Sequence, residues 1–199
     1  MSDGDRYQWQ GIDDPDRTDL AHVRFSGDTM RAHGTSITRA YATSWSLDVG
    51  PGWITRSLEV DAHGAGWRRS LRLTRDAAGA WSAEADARGE ADLAPPGLAD
   101  PEAVRGAVDC DLGLCPLTNT MPIRRLDLLH RSAEDAPLVM AWVEVPSLRV
   151  IRSEQLYGSF GDGRIRYASA NRDFAAELTT DRNAMVVDYP QLARRVTPR

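Results

Sequence analysis

The sequence predicts a mostly β protein, a curved antiparallel sheet or partly open β-barrel built from two similar meander halves, with at most one or two short helices. Three observations carry that prediction. Tyr41, Thr43, Trp45, Leu47 and Val49 alternate with smaller or polar residues, the two-residue period of a strand with one buried face. Turn formers then recur at strand-length intervals, in 48–52, 63–66 and 76–79, as an antiparallel meander requires. The same texture returns after residue 138, with Gly161-Asp162-Gly163 and Thr180-Asp181-Arg182-Asn183 as turns.

Taken in order, the polar and acidic start of the chain lacks a basic-then-apolar leader, and residues 1–18 read as a poorly ordered segment. A strand over about 53–61 places Ile54, Leu58 and Val60 on one face. The next run puts Trp67, Arg69, Leu71 and Leu73 on a shared face, and Trp81 opens the strand after it. Residues 92–106, rich in Pro, Gly, Ala and Asp, read as a loop connecting the halves, with at most one short helix near 100–106. Candidate strands follow at about 138–145, 147–158, 163–170, 173–180 and 184–189. The spacing from Trp67 to Leu71 recurs from Phe174 to Leu178, which suggests two related halves within a single β domain spanning 1–199.

A chain of 199 residues buries roughly 70% of its unfolded surface, so no disulfide or metal staple is needed. The net charge of −5, from 29 acidic and 24 basic side chains, argues against nonspecific adhesion to nucleic acid. Every one of those basic side chains is arginine, whose planar fork pairs with carboxylates and phosphates in two-point geometry. No apolar run approaches the ~20 residues of a spanning helix, and a cytoplasmic location is expected. Cys110 and Cys115 make a poor zinc site without a second pair and read as free thiols. His22, His33, His63 and His130 read as surface residues. No metal site and no cofactor are expected.

Arginines recur inside the strands, at 56, 69, 72, 149, 152, 164 and 166. They either snorkel and pair with carboxylates across strands, or join apolar side chains in lining a cavity for a molecule with an alkyl part and an oxygen-rich head. The six tryptophans, at 9, 45, 53, 67, 81 and 142, offer the same choice between core filling and pocket lining. Trp45 and Trp53 flank one turn and lead as ligand contacts, followed by Trp67 with Arg69.

The densest segment runs over 108–126. Pro116 and Pro122 restrict its backbone, Thr118 and Asn119 favour a turn or cap, and Asp109 and Asp111 share a face if the segment is extended. The two carboxylates either hold a metal or share a proton, or they lock onto Arg124 or Arg125 as salt bridges. No dinucleotide fingerprint, phosphate loop or nucleophile elbow occurs.

Asp109-x-Asp111 followed by Pro116-Leu117-Thr118-Asn119-Thr120-Met121-Pro122-Ile123-Arg124-Arg125-Leu126 resembles the signature of the glycolipid-binding family, formerly a domain of unknown function. Trp53-Ile54-Thr55-Arg56, Tyr157 and Asp188-Tyr189-Pro190 add to the resemblance. Cys115 and Met121 depart from it, standing where threonine and leucine are usual. The resemblance implies a fold similar to bacterial lipoprotein carriers, with an interior cavity and no catalytic residues. Arg56, Asn119, Arg124, Tyr157 and Tyr189 then join the expected ligand contacts, and Asp109, Asp111, Pro116, Thr118, Pro122 and Arg125 form a structural motif. The function expected is non-catalytic binding of a lipid, glycolipid or similar amphipathic molecule inside that cavity, by a monomer or modest dimer. Two alternatives stand beside it: an enzyme using Asp109, Asp111, Arg124 and Arg125 in a polar corner, and a structural or protein-interaction module.

Overall fold

The computed structural model describes residues 4–170 and 173–196. Seven strands form an N-terminal wing in simple meander order: β1 (Asp5–Gly11), β2 (Thr18–Ser26), β3 (Thr29–Ile37), β4 (Tyr41–Gly50), β5 (Ile54–Gly64), β6 (Trp67–Arg75) and β7 (Trp81–Gly89). The short strands β8 (Gly97–Leu98) and β9 (Asp109–Leu112) follow, then the helix α1 (Thr120–Arg125). The C-terminal wing comprises β10 (Ser132–Val143), β11 (Arg149–Gly161), β12 (Arg164–Ser169), β13 (Phe174–Thr180), β14 (Val186–Tyr189) and β15 (Ala193–Arg195).

A single sheet carries them all, in the order β7-β6-β5-β4-β3-β2-β1-β15-β14-β13-β12-β11-β10-β9, with β8 added beside β11. Pairing is antiparallel except where β9 meets β10 and β8 meets β11. The sheet curls without closing into a barrel. Its two ends approach through segment 107–110, where Trp81 Nε1 donates to the Ala107 carbonyl at 3.0 Å and the Cys110 N–H donates to Thr55 Oγ1 at 3.1 Å. Among the described residues, no helix is long and apolar enough to cross a membrane.

The predicted strands from residue 41 onward are present, and the alternation in β4 buries Thr43, Trp45, Leu47 and Val49 as expected. Three findings differ from the sequence reading. Residues 5–11, expected to be poorly ordered, form β1 between β2 and β15 in the middle of the sheet. Tyr7 and Trp9 face inward from it, and Trp9 Nε1 donates to the Val186 carbonyl at 2.8 Å. Next, β2 and β3 were not legible because their buried positions are Asp19, Ala21 and Val23 on one strand and Met30, Ala32 and Gly34 on the other. Small inward residues give little hydrophobic contrast. Gly34 is required there, since a Cβ would collide with the Leu20 carbonyl and the Trp45 indole.

The third difference is local. Val49 pairs with Thr55 but Asp48 pairs with Ser57, so Arg56 is an extra residue in β5. A β-bulge of this kind reverses the in-out parity beyond it. Thr55 therefore joins Leu58 and Val60 inside, while Ile54 leaves the face predicted for it.

The core has two lobes. Trp9, Trp45, Leu47, Leu58, Leu71, Leu73 and Trp81 centre one under the N-terminal wing. Tyr157, Ile165, Tyr167, Leu178 and Tyr189 centre the other under the C-terminal wing. The helix α1 plugs the space between them: Met121 belongs to the first lobe and Ile123 to the second. Segment 92–106 holds β8 and a 3-10 turn over Pro101–Val104, capped by the Asp100 side chain accepting from the Glu102 N–H.

Candidate functional site

The chain from β9 through α1 builds a buried polar network. Asp109 and Asp111 alternate on β9 and share a face, as expected for an extended segment. Both Asp109 oxygens accept from Arg125, Nη1 and Nη2 each at 2.6 Å, and the carboxylate is 1% exposed. Burial raises the Asp109 carboxyl, and the Arg125 guanidinium opposes that rise. Asp111 takes Thr118 Oγ1 at 2.8 Å and Gln155 Nε2 at 2.7 Å. Tyr157 Oη donates to Asn119 Oδ1 at 2.8 Å, and Asn119 Nδ2 donates to the Pro116 carbonyl at 3.1 Å. Full burial lifts the Tyr157 phenol well above its usual range. Pro116 opens a second 3-10 turn, over Pro116–Asn119, and Pro122 lies inside the first turn of α1, both buried.

The salt-bridge lock read from the sequence thus exists as Asp109 with Arg125. Successive helical residues point about 100° apart, so when Arg125 reaches inward Arg124 cannot follow. Arg124 lies instead over the rings of Trp53, at 5.2 Å, and Phe25, at 5.8 Å, with its Nε buried. Trp53 adopts a left-handed φ of 62°, costly for a bulky residue. Its N–H donates to the Asp28 carbonyl at 3.2 Å, and the Gly52 N–H donates to the Asp28 carboxylate at 2.7 Å. With all four oxygens of Asp109 and Asp111 accepting hydrogen bonds, the motif has the geometry of a structural clasp, and the catalytic corner has no uncommitted base there.

The remaining expected contacts scatter. Trp45 is buried against Gly34, and Tyr189 packs edge-on to Tyr167 at 5.7 Å. Trp67 folds its ring over Gly64, and Arg69 is buried beside it with Nη1 donating to the Arg68 and Arg88 carbonyls. Arg56 is exposed at its bulge. The ligand-sized interior hollow expected among these residues is not where they meet. The space beside Trp9, Asp19 and Trp45 holds about 10 Å³, and so does the one beside Asp111, Asn119, Trp142 and Tyr189. Either takes one water at most. The tryptophans and tyrosines fill the interior and leave no room for an alkyl chain at these points.

The larger concavities lie on the outside. One of about 700 Å³ crosses the C-terminal wing, lined by Pro137, Val139, Leu156, Ala168, Phe174 and Ala175, with Arg152 and Glu154 at its border. It meets a second of about 390 Å³ that shares Leu156, Ala168 and Ala175 and extends to Phe160 and Arg166. Register explains the trough. Pro137 pairs with Leu156, Leu156 with Ala168, and Ala168 with Ala175, one apolar row across four strands on the outer face. Leu156 and Phe160 are 41% and 43% exposed, unusual for a solvated strand face. Charged groups bound the row on both sides: Arg152 pairs with Glu154 at 2.9 Å, and Arg166 pairs with Asp135 at 2.7 Å while covering the Phe160 ring at 4.7 Å. No single stretch of sequence carries this feature, because each strand supplies one residue to the row.

The fold and trough define a curved-sheet β protein with an apolar outer groove rimmed by guanidinium groups. Residues 6–195 match the model of the family described as "putative glycolipid-binding", and the chain belongs to that family. It is similar in fold to a crystal structure of a DUF1089 family protein from Pseudomonas aeruginosa, with a TM-score of 0.69 and 24% identity over 89% of this chain and 92% of that one. Comparison with curated proteins gave no match.

Proposed function

We propose that this protein binds an amphipathic, lipid-like molecule without chemical conversion, and that the ligand lies in the outer trough of the C-terminal wing. The observation that carries the reading is the apolar row Pro137–Leu156–Ala168–Ala175, open to solvent within a concavity of about 700 Å³. That is the size range of small-molecule sites. Covering the exposed leucine removes apolar surface from water, at ~25 cal/mol per Å². Arg152 and Arg166 at the borders suit an oxygen-rich head, since guanidinium forks meet such oxygens in pairs. Membership of a family named for glycolipid binding supports the class of ligand, and a glycolipid is the finer assignment offered here.

The test is titration with an alkyl glycoside below its micelle concentration, followed by tryptophan fluorescence and by native mass spectrometry. Leu156→Asp should abolish saturable binding while leaving the thermal unfolding midpoint within a few degrees of the parent. Undiminished binding by Leu156→Asp would remove the trough from consideration.

A further inference from the structure

The concavity of about 390 Å³ differs from the trough it joins, because Asp135, Arg166 and Glu177 line it beside the apolar residues. Cross-strand register places them. Gly158 pairs with Arg166 and Arg166 with Glu177, two residues along each strand from the apolar row Leu156–Ala168–Ala175. Two residues span roughly 7 Å, so a polar row runs beside the apolar one on the same outer face. The first member of this row comes from a β-bulge. Ala133 pairs with Ser159 and Ala136 with Tyr157, so Glu134 and Asp135 together face Gly158. Bulges re-aim side chains, and this one lays the Asp135 carboxylate over a glycine. A Cβ at residue 158 would collide with Asp135 Oδ1 and Arg166 Nη2.

The arginine of the row is held in place. Its Nε donates to Asp135 Oδ1 at 2.7 Å, its Nη1 to the Ser159 carbonyl at 3.1 Å, and its Nη2 to the Ala133 carbonyl. Each Nη keeps a second hydrogen for a ligand. Asp135 likewise keeps Oδ2, to which nothing among the described residues donates. Glu177 faces Arg164 at 3.5 Å through Oε1. Each guanidinium here therefore has a carboxylate beside it, and the cluster carries no net charge. An anionic head would meet carboxylates whose partners are already matched, and a cationic head would meet guanidiniums in the same condition. What the row presents is acceptor, donor, acceptor, in the order Asp135, Arg166, Glu177, next to the exposed Phe160 ring. Adjacent hydroxyl groups match that order, since each gives one hydrogen and accepts another.

We propose that this concavity is the head-group site of the trough's ligand, and that the head is an uncharged polyol, a sugar ring with adjacent hydroxyls held by Asp135, Arg166 and Glu177. The inference rests on the trough as the binding site and gives the ligand a direction. The head lies toward the β11–β12 turn, and the alkyl tail runs over Leu156 toward Pro137 and Phe174. Hydrogen bonds to a charged carboxylate are stronger than those between neutral groups, so the free oxygen of Asp135 decides which heads are accepted.

The experiment is calorimetric titration of the full chain with octyl glucoside, octyl tetraethylene glycol ether, octyl sulfate and octyltrimethylammonium, each below its micelle concentration. The tail is constant, so the head sets the order of affinity. Octyl glucoside should bind about tenfold or more tightly than each of the others. Asp135→Ala should erase that margin and raise the affinity for octyl sulfate, because it strips Arg166 of its carboxylate; a loss of packing alone would not reverse the order. Glu177→Gln should narrow the margin in the same direction. Glu59→Gln is the control on the other wing, where Glu59 faces Arg72 at 3.3 Å, and it should change nothing. Equal affinity for all the heads, abolished throughout by Leu156→Asp, overturns the head site and leaves the trough standing. A glucoside preference that survives both Asp135→Ala and Glu177→Gln overturns it as well. Glucoside binding that Leu156→Asp does not diminish removes the trough, and this inference falls with it.

Discussion

Replacing Arg125 by methionine isolates the clasp that joins α1 to β9. Two bonds of 2.6 Å join Arg125 to a carboxylate that is 1% exposed, and Arg125 itself is 19% exposed. With charge centres ~4 Å apart and an effective dielectric of ~20, their attraction is about 4 kcal/mol. Removing one partner of such a buried pair costs about 3–5 kcal/mol, because the other is stranded. Arg125→Met should therefore lose about 4 kcal/mol near neutral pH, read as a shift of the urea midpoint in tryptophan fluorescence. The pH dependence follows from the carboxyl. Burial raises Asp109 and Arg125 opposes the rise, so the variant leaves the rise unopposed. A carboxyl whose folded-state value exceeds its unfolded value near ~3.9 destabilises the fold above the folded-state value and ceases to do so below ~3.9. The deficit of the variant should shrink on acidification, by up to about 1.4 kcal/mol per pH unit, between the variant's higher folded-state value and the parent's lower one. The double variant Asp109→Asn with Arg125→Met should recover part of the loss, since no charge is left buried. A deficit below about 1 kcal/mol at neutral pH, or one that does not change with acidification, would refute the reasoning.

Three further outcomes follow from buried contacts. Tyr157→Phe leaves Asn119 Oδ1 without its 2.8 Å donor and should cost about 1–3 kcal/mol in the same urea assay. Gly34→Ala drives a methyl into the Leu20 carbonyl and the Trp45 indole and should cost about 1–3 kcal/mol with a changed near-ultraviolet tryptophan signal; an unchanged signal and midpoint contradict the packing described. Burial pushes the Cys115 thiol up to about 12 and raises Cys110 further. Ellman's reagent at mildly alkaline pH should therefore label both only on unfolding, since the thiolate is the reactive form. Rapid labelling of the folded protein would show these sulfurs to be accessible.

Much of this architecture is legible in the amino-acid order, and the parts that are not share a physical cause. The β4 alternation and the glycine-bearing turns read directly because large apolar residues, Trp45, Leu47 and Val49, mark most of the buried positions. In β2 and β3 the buried set includes Asp19, Ala21, Ala32 and Gly34, and small residues carry no periodic signal. Asp19 is held inside by Arg17, which is 1% exposed and also pairs with Asp13 at 2.8 Å; an aspartate in a strand gives no hint that its partner is equally buried. The bulge at Arg56 is a matter of pairing between strands and is invisible along one of them. Which arginine would reach Asp109 was open in the sequence and is decided by the direction of one helical turn. The signature segment was recognisable, but the tryptophans around it fill space that the sequence suggested they would enclose. The outer trough depends on cross-strand register among β10 to β13, so only Leu156 and Phe160, as apolar residues at outward positions, offered a local clue.

The placement of β1 has a consequence for how the chain is made. Trp9 pairs with Arg195, so β1 waits for β15, synthesised long after it, before its second edge is satisfied. Until then a strand edge lies bare beside an already assembled meander, open to pairing with another chain. Such long-range closure slows folding and prolongs exposure. Losing β15 would leave that edge permanently unpaired, so its deletion, which removes little of the core, should still push the protein toward aggregation.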